Sequence, residues 1–89
     1  MGNLSHPEPP SPAVLLGTAL RARRKSLALT QRELARLAGC GLAFLYELES
    51  GKATVRLDKV LAVLDVLGLE LSLVEGKNAL SIGANWQAP

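Results

Sequence analysis

Between Gln31 and Ser50 the chain reads QRELARLAGCGLAFLYELES, and this stretch restricts its folding more than any other. Leu34 and Ala38 stand four residues apart, which puts both on one face of a helix; Leu45 and Leu48, three apart, do the same further along. Between the two pairs, Gly39 can adopt a positive φ and so end the first helix at little cost. Ala35 supplies a small side chain where two helices have to cross closely. Two short amphipathic helices joined by a tight glycine-containing turn form a helix-turn-helix, the unit that lays its second helix in the major groove of DNA.

The flanking sequence supplies the rest of a small helical domain. Met1–Pro10 (MGNLSHPEPP) is rich in proline and reads as a disordered arm over residues 1–11. Ser11-Pro12 then has the form of an N-cap with proline at the first helical position, opening a helix from Pro12 to about Ser26. Leu16 and Leu20 share one face of that helix, and Arg24, one step further on the same face, needs an acidic partner if it is buried. Glu49, at the end of the second motif helix, is the candidate. Thr30 caps the next helix and Glu33 completes a capping box. The presumed recognition helix runs from Leu42 to about Glu49 and stops at Ser50-Gly51. A fourth helix spans Leu57 to Leu67, with Leu57, Leu61 and Leu64 on one side, widened by Val60 and Leu67, and Gly68 ends it. From Leu69 the period changes. Leu69, Leu71 and Leu73 alternate with Glu70, Ser72 and Val74, the pattern of a half-buried strand. A lone strand leaves its backbone groups unpaired, and pairing with the same strand of a second copy is the simplest remedy. The folded domain therefore covers residues 12–75, and residues 76–89 (GKNALSIGANWQAP for the last fourteen) form a loop-like tail. Trp86 in that tail either folds back, stays unpacked, or anchors a partner.

Composition narrows the function. At 89 residues there is one core, and aromatic residues at 3% against 48% apolar suit a Leu/Ala-packed helical domain rather than a β-sandwich. The net charge of +2 hides an asymmetry. Ala13–Lys59 carries nine basic residues against four acidic ones, so the charge suited to phosphate is concentrated around the motif. The one cysteine, Cys40, excludes an intrachain disulfide, fits a core position after Gly39, and with only His6 beside it cannot assemble a Cys/His metal site. No apolar run reaches a membrane span and the N-terminus has no secretion-signal pattern, so the expected compartment is the cytoplasm. Catalytic acid pairs and Gly-rich phosphate loops are absent from the sequence; neither an enzyme, a cofactor nor a small-molecule ligand is expected.

Residues from about Leu16 to Val74 resemble the Xre/Cro family of helix-turn-helix repressors, which includes the phage lambda-type repressors. The matching pieces are Arg24, Thr30-Gln31-x-Glu33-Leu34-Ala35, Gly39, Leu45, Leu48-Glu49 and Gly51-Lys52. The continuation VRLDKVLAVLDVLGLELSLVEGKNA is similar to that of the HipB-type antitoxins. This resemblance implies a mainly α, lambda-repressor-like four-helix domain with a C-terminal β-strand pairing across a homodimer through Leu69, Leu71 and Leu73. It implies an autoregulating repressor that binds an inverted repeat in double-stranded DNA and neutralises a HipA-type Ser/Thr kinase toxin. Carried onto this chain, it makes Gln31 a phosphate ligand at a helix N-terminus, with Thr30 and Arg32 beside it. It gives Lys52, Thr54 and Arg56 backbone contacts, turns Leu42, Ala43, Tyr46 and Glu47 toward base edges, and pairs Arg24 with Glu49.

The departures bear on specificity. Gly41 stands where a Ser or Thr cap is usual, and Ala28 where glycine is frequent. Leu42 and Ala43 replace hydrogen-bonding residues and can touch only thymine methyl groups, while Glu47 can accept from cytosine N4 but repels phosphate. Phe44 reads as packing rather than a base wedge. Alternatives to the antitoxin are a stand-alone or prophage-type regulator and, in another class, a dimeric protein-interaction module without specific DNA reading.

Overall fold

A computed structural model of the chain describes residues 8–76. Four helices follow in order, α1 (Pro12–Ser26), α2 (Gln31–Ala38), α3 (Leu42–Ser50) and α4 (Leu57–Val66). Several of the starts and stops have a clear local cause, although α3 and α4 begin without a side-chain cap. The Ser11 hydroxyl accepts a hydrogen bond from the Val14 amide at 3.2 Å with Pro12 at the first helical position, and Arg23, Arg24 and Lys25 occupy the last turn, where positive charge suits the helix dipole. At α2 the capping box is closed in both directions. The Glu33 amide donates to the Thr30 hydroxyl at 3.0 Å, and the Thr30 amide donates to the Glu33 carboxylate at 2.9 Å. The Thr30 bonds, backbone first, hold the Glu33 carboxyl below its ordinary pKa. Gly39 ends α2 at φ 67° and Gly51 ends α3 at φ 89°, both left-handed.

The core is aliphatic: Leu20, Leu34, Leu45, Leu48, Val63 and Leu67 are almost wholly buried, joined by Ala35, Val60 and Leu64. Helix α1 packs on α3, and α2 packs on both α3 and α4. The close crossing is at Gly17 in α1. A Cβ there would meet the carbonyl oxygen of Leu48, lie 2.7 Å from that of Glu49 and 2.9 Å from the Glu49 carbonyl carbon. Gly51 is pressed in the same way against Val14, whose Cγ2 and Cα would stand 2.6 and 2.8 Å from an added Cβ. Cys40 is half-buried against the core, and that burial raises its thiol pKa above the ordinary value against the opposing charge of Lys59.

Three expectations change. Helix α4 buries Val60, Val63, Leu64 and Leu67, whereas Leu57 (61% exposed) and Leu61 (45% exposed) face outward. The helix is apolar on more than one side, so periodicity alone could not choose its buried face. Its last residue is Val66, Leu67 is the C-cap, and α3 runs one residue further than expected, to Ser50. After Gly68, at φ 71°, residues 69–76 form no strand among the described residues. Leu69 packs partly against the core, but Leu71, Leu73 and Val74 are exposed. An extended segment becomes a strand only when another backbone pairs with it, and the described part of the single chain offers none. Trp86 and His6 lie outside the described residues.

Candidate nucleic-acid interface

The two faces of α3 are chemically unlike. Leu45, Leu48 and Glu49 are buried, while Ala43, Tyr46, Glu47 and Ser50 are exposed. Those four recur at i, i+3, i+4 and i+7 and so form one continuous stripe. Leu42, expected among the base-facing residues, is half-buried and packs against the core, as does Phe44. Leu42 thus helps hold α3 to the domain, and Ala43 is the exposed residue of its first turn. Ser50, not singled out from the sequence, completes the stripe because α3 keeps its helical period to that residue.

The residues suited to phosphate lie at the start of α2 and in the loop after α3. Gln31 and Arg32 open α2, with Arg32 exposed. The Gln31 side-chain amide donates to Glu49 Oε1 at 3.0 Å, so its remaining amide proton and the helix N-terminus are what it offers outward. Thr30 keeps its hydroxyl oxygen on the Glu33 amide. In the loop after α3, Thr54 is exposed, Lys52 Nζ pairs with Glu47 at 3.1 Å, and Arg56 forms two hydrogen bonds to Asp58 at 2.7 and 3.2 Å. The Arg56 hydrogen bond is the main reason the Asp58 carboxyl sits below its ordinary pKa. Both pairs are solvent-exposed, and pairs of that kind are weakened by water and salt and hold little. Neither cation is held against exchange for a phosphate oxygen.

Beneath the surface lies an ion pair. Arg24 and Glu49 are 7% and 9% exposed, and Arg24 Nε and Nη2 donate to the two Glu49 oxygens at 2.7 and 3.0 Å. Arg24 Nη1 also donates to the Leu29 carbonyl at 2.8 Å. With Gln31 as a further donor, the Glu49 carboxylate is satisfied by α1 and α2 together, and no buried side-chain polar atom is left unpaired among the described residues. The arrangement ties the end of α1, the loop before α2 and the end of α3 into one unit, which sets α3 against the start of α2.

The structure also divides the basic residues that the sequence lumps together. Arg23 Nε donates to the Leu67 carbonyl at 2.9 Å, capping the end of α4, and Lys59 Nζ donates to the Gly39 carbonyl at 3.1 Å, capping the end of α2. With Arg24 buried, three of the nine cations are structural. Arg21, Lys25, Arg32, Arg36, Lys52 and Arg56 remain at or near the surface. No group of His, Cys, Asp or Glu able to hold a metal occurs among the described residues, nor does a helix long and apolar enough to cross a membrane.

Comparison with known proteins points the same way as this geometry. The family described as Helix-turn-helix domain matches residues 15–75. The chain is 44% identical over 59 residues to a Sinorhizobium fredii protein named Uncharacterized HTH-type transcriptional regulator y4mF, a match covering 66% of this chain and 78% of that one. Among solved structures it is similar to the clp gene regulator ClgR from Corynebacterium glutamicum, with 36% identity and a TM-score of 0.62 over 71% of this chain and 66% of that one. The chain thus spans just under two thirds of that regulator. It is also similar to the restriction-modification controller protein C.AhdI from Aeromonas hydrophila, with 31% identity and a TM-score of 0.61 over 65% of this chain and 88% of that one.

Proposed function

From the premise that the chain belongs to the helix-turn-helix domain family, we propose that it is a DNA-binding transcriptional regulator that acts as a repressor of its own promoter. The observation that carries this reading is the exposed α3 stripe Ala43–Tyr46–Glu47–Ser50, flanked by Gln31, which shares a cleft with Tyr46 and Ser50, and by Lys52, which pairs with Glu47, with Arg56 exposed further along the same loop. The stripe enters the major groove and the bordering groups take phosphates on either side. The names of the relatives, an HTH-type transcriptional regulator and a clp gene regulator, support the same reading. Ala43 offers base edges only a methyl group, so direct reading falls to Tyr46 and Glu47, and the remaining specificity comes from phosphate geometry and DNA shape.

Binding of the full chain to a duplex carrying its own promoter, followed by fluorescence anisotropy over a series of salt concentrations, tests this. A steep fall of affinity with salt is expected. The double substitution Lys52→Ala, Arg56→Ala lowers the slope of log K against log salt by about 1.8, the value for two lost phosphate contacts. Absence of binding at low salt refutes the reading.

A finer reading adds a partner. Leu71, Leu73 and Val74 stand exposed on a segment that makes no backbone hydrogen bond beyond Leu69 among the described residues. That favours a two-fold homodimer paired along residues 69–74, bound to an inverted repeat and, in the manner of the HipB-type antitoxins it resembles, to a kinase toxin. Co-purification of a stoichiometric kinase-sized protein from native cells supports the antitoxin role, and a homodimer recovered with no such partner refutes it.

A further inference from the structure

Beside the α3 stripe, a cleft of about 230 Å³ opens between α1, the start of α2 and the end of α3, lined by Arg21, Arg24, Gln31, Tyr46, Glu49 and Ser50. Its floor is the Arg24–Glu49 pair, whose charges cancel and whose hydrogen bonds are satisfied within the protein. Ser50 donates its hydroxyl proton to the Glu47 carbonyl at 3.0 Å, so it presents an oxygen but no proton to the cleft. The uncompensated charge is therefore Arg21, which is exposed and makes no ion pair or hydrogen bond among the described residues. Arg21 also lines, with Thr18, Ala22 and Lys25, a second shallow groove on α1, so the two depressions share this residue.

We infer that this cleft is a binding site for a DNA phosphodiester, with Arg21 as its principal ligand and the free Gln31 amide proton and the Tyr46 hydroxyl as neutral donors. The inference rests on the DNA-binding reading and extends it from the helix-turn-helix to α1. Three physical facts carry it. A single positive charge over a neutral floor complements a single negative charge. A guanidinium presents two parallel N–H donors to two phosphate oxygens. Tyr46 and Ser50 belong to both the stripe and the cleft, so a backbone leaving the groove that α3 occupies passes over the opening. Lys25, one turn further along α1, is exposed and adds a second cation to the groove it shares with Arg21. The helix-turn-helix alone would contact DNA through α2, α3 and the loop; with Arg21 the first helix becomes part of the reading surface and fixes the angle at which α3 enters the groove.

The test compares the salt slope of promoter binding for the full chain and for Arg21→Ala, Arg21→Lys and Arg36→Ala. Arg36 is also exposed but lies at the far end of α2 from the cleft, so its removal makes the same change in net charge elsewhere. The Arg21→Ala slope should fall by about 0.9, the value for one phosphate contact, while Arg21→Lys keeps most of the slope and Arg36→Ala keeps nearly all of it. Circular dichroism melting should be the same for all four proteins, since Arg21 holds nothing in the fold. An unchanged slope in Arg21→Ala overturns the inference, as does an equal fall in Arg36→Ala, which would make the effect one of overall charge. In either case the unmodified chain still binds; failure of the unmodified chain to bind overturns the DNA-binding reading itself.

Discussion

Gly17 sits in the middle of α1, where glycine is a poor choice for a helix and alanine would add about 1 kcal/mol of helix propensity. Its replacement by alanine nevertheless destabilises this protein. The added Cβ would stand 2.7 Å from the Glu49 carbonyl oxygen, about 0.7 Å inside ordinary contact, and meets the Leu48 carbonyl as well. Both neighbours are backbone atoms of α3, so no side chain can rotate away and the two helices have to part. Overpacking of a filled interior costs about 1–3 kcal/mol, and backbone neighbours place Gly17→Ala at the upper end. Against the gain in propensity the net loss is about 2 kcal/mol, which lowers the melting temperature of a domain this size by roughly 8–16 °C. Thermal and urea unfolding of the two proteins, with Thr18→Ala on the exposed side of the same helix as a control, measure it. Thr18→Ala should lie within a few tenths of a kcal/mol of the unmodified chain or above it. A Gly17→Ala protein as stable as the original would refute the argument that the α1–α3 crossing is set by backbone contact.

Two further substitutions separate local strain from buried charge. Ala28 stands at φ 57°, a left-handed conformation that costs a residue with a Cβ about 1–2 kcal/mol. Ala28→Gly should therefore raise stability by about 0.5–1 kcal/mol after the greater freedom of unfolded glycine is set against it, read as a higher urea midpoint. Glu49→Ala strands the buried Arg24 guanidinium and should cost about 3–5 kcal/mol, whereas replacing both partners by apolar residues recovers most of it. Equal losses in the single and double variants would show that the pair is not the source.

Where the helices begin and end was legible in the sequence to within about a residue, because most of those signals are local. Ser11-Pro12, the Thr30/Glu33 box, Gly39, Gly51 and Gly68 each act on groups within a few residues. Arg24 and Glu49 were readable as candidates because a charge in line with Leu16 and Leu20 demands a partner. The candidate interface was less legible: Leu42, expected among the base-facing residues, is half-buried, Ser50 was not singled out, and Arg23 and Lys59 were counted with the surface charge although they cap α4 and α2.

The sequence by itself determined four helices, their caps and turns, and the identity of the motif, since hydrogen bonds from residue i to i+3 or i+4 depend on near neighbours alone. Only the tertiary structure decided which side of α4 is buried, why α1 carries a glycine, and which cations are free to meet a phosphate. Those depend on how the helices cross. Gly17 meets Leu48 and Glu49 from the far end of the motif, and Arg23 reaches Leu67 across forty-four residues. Contacts at such separations follow from the packing of α1 on α3 and of α2 on α4, which no local pattern of residues encodes.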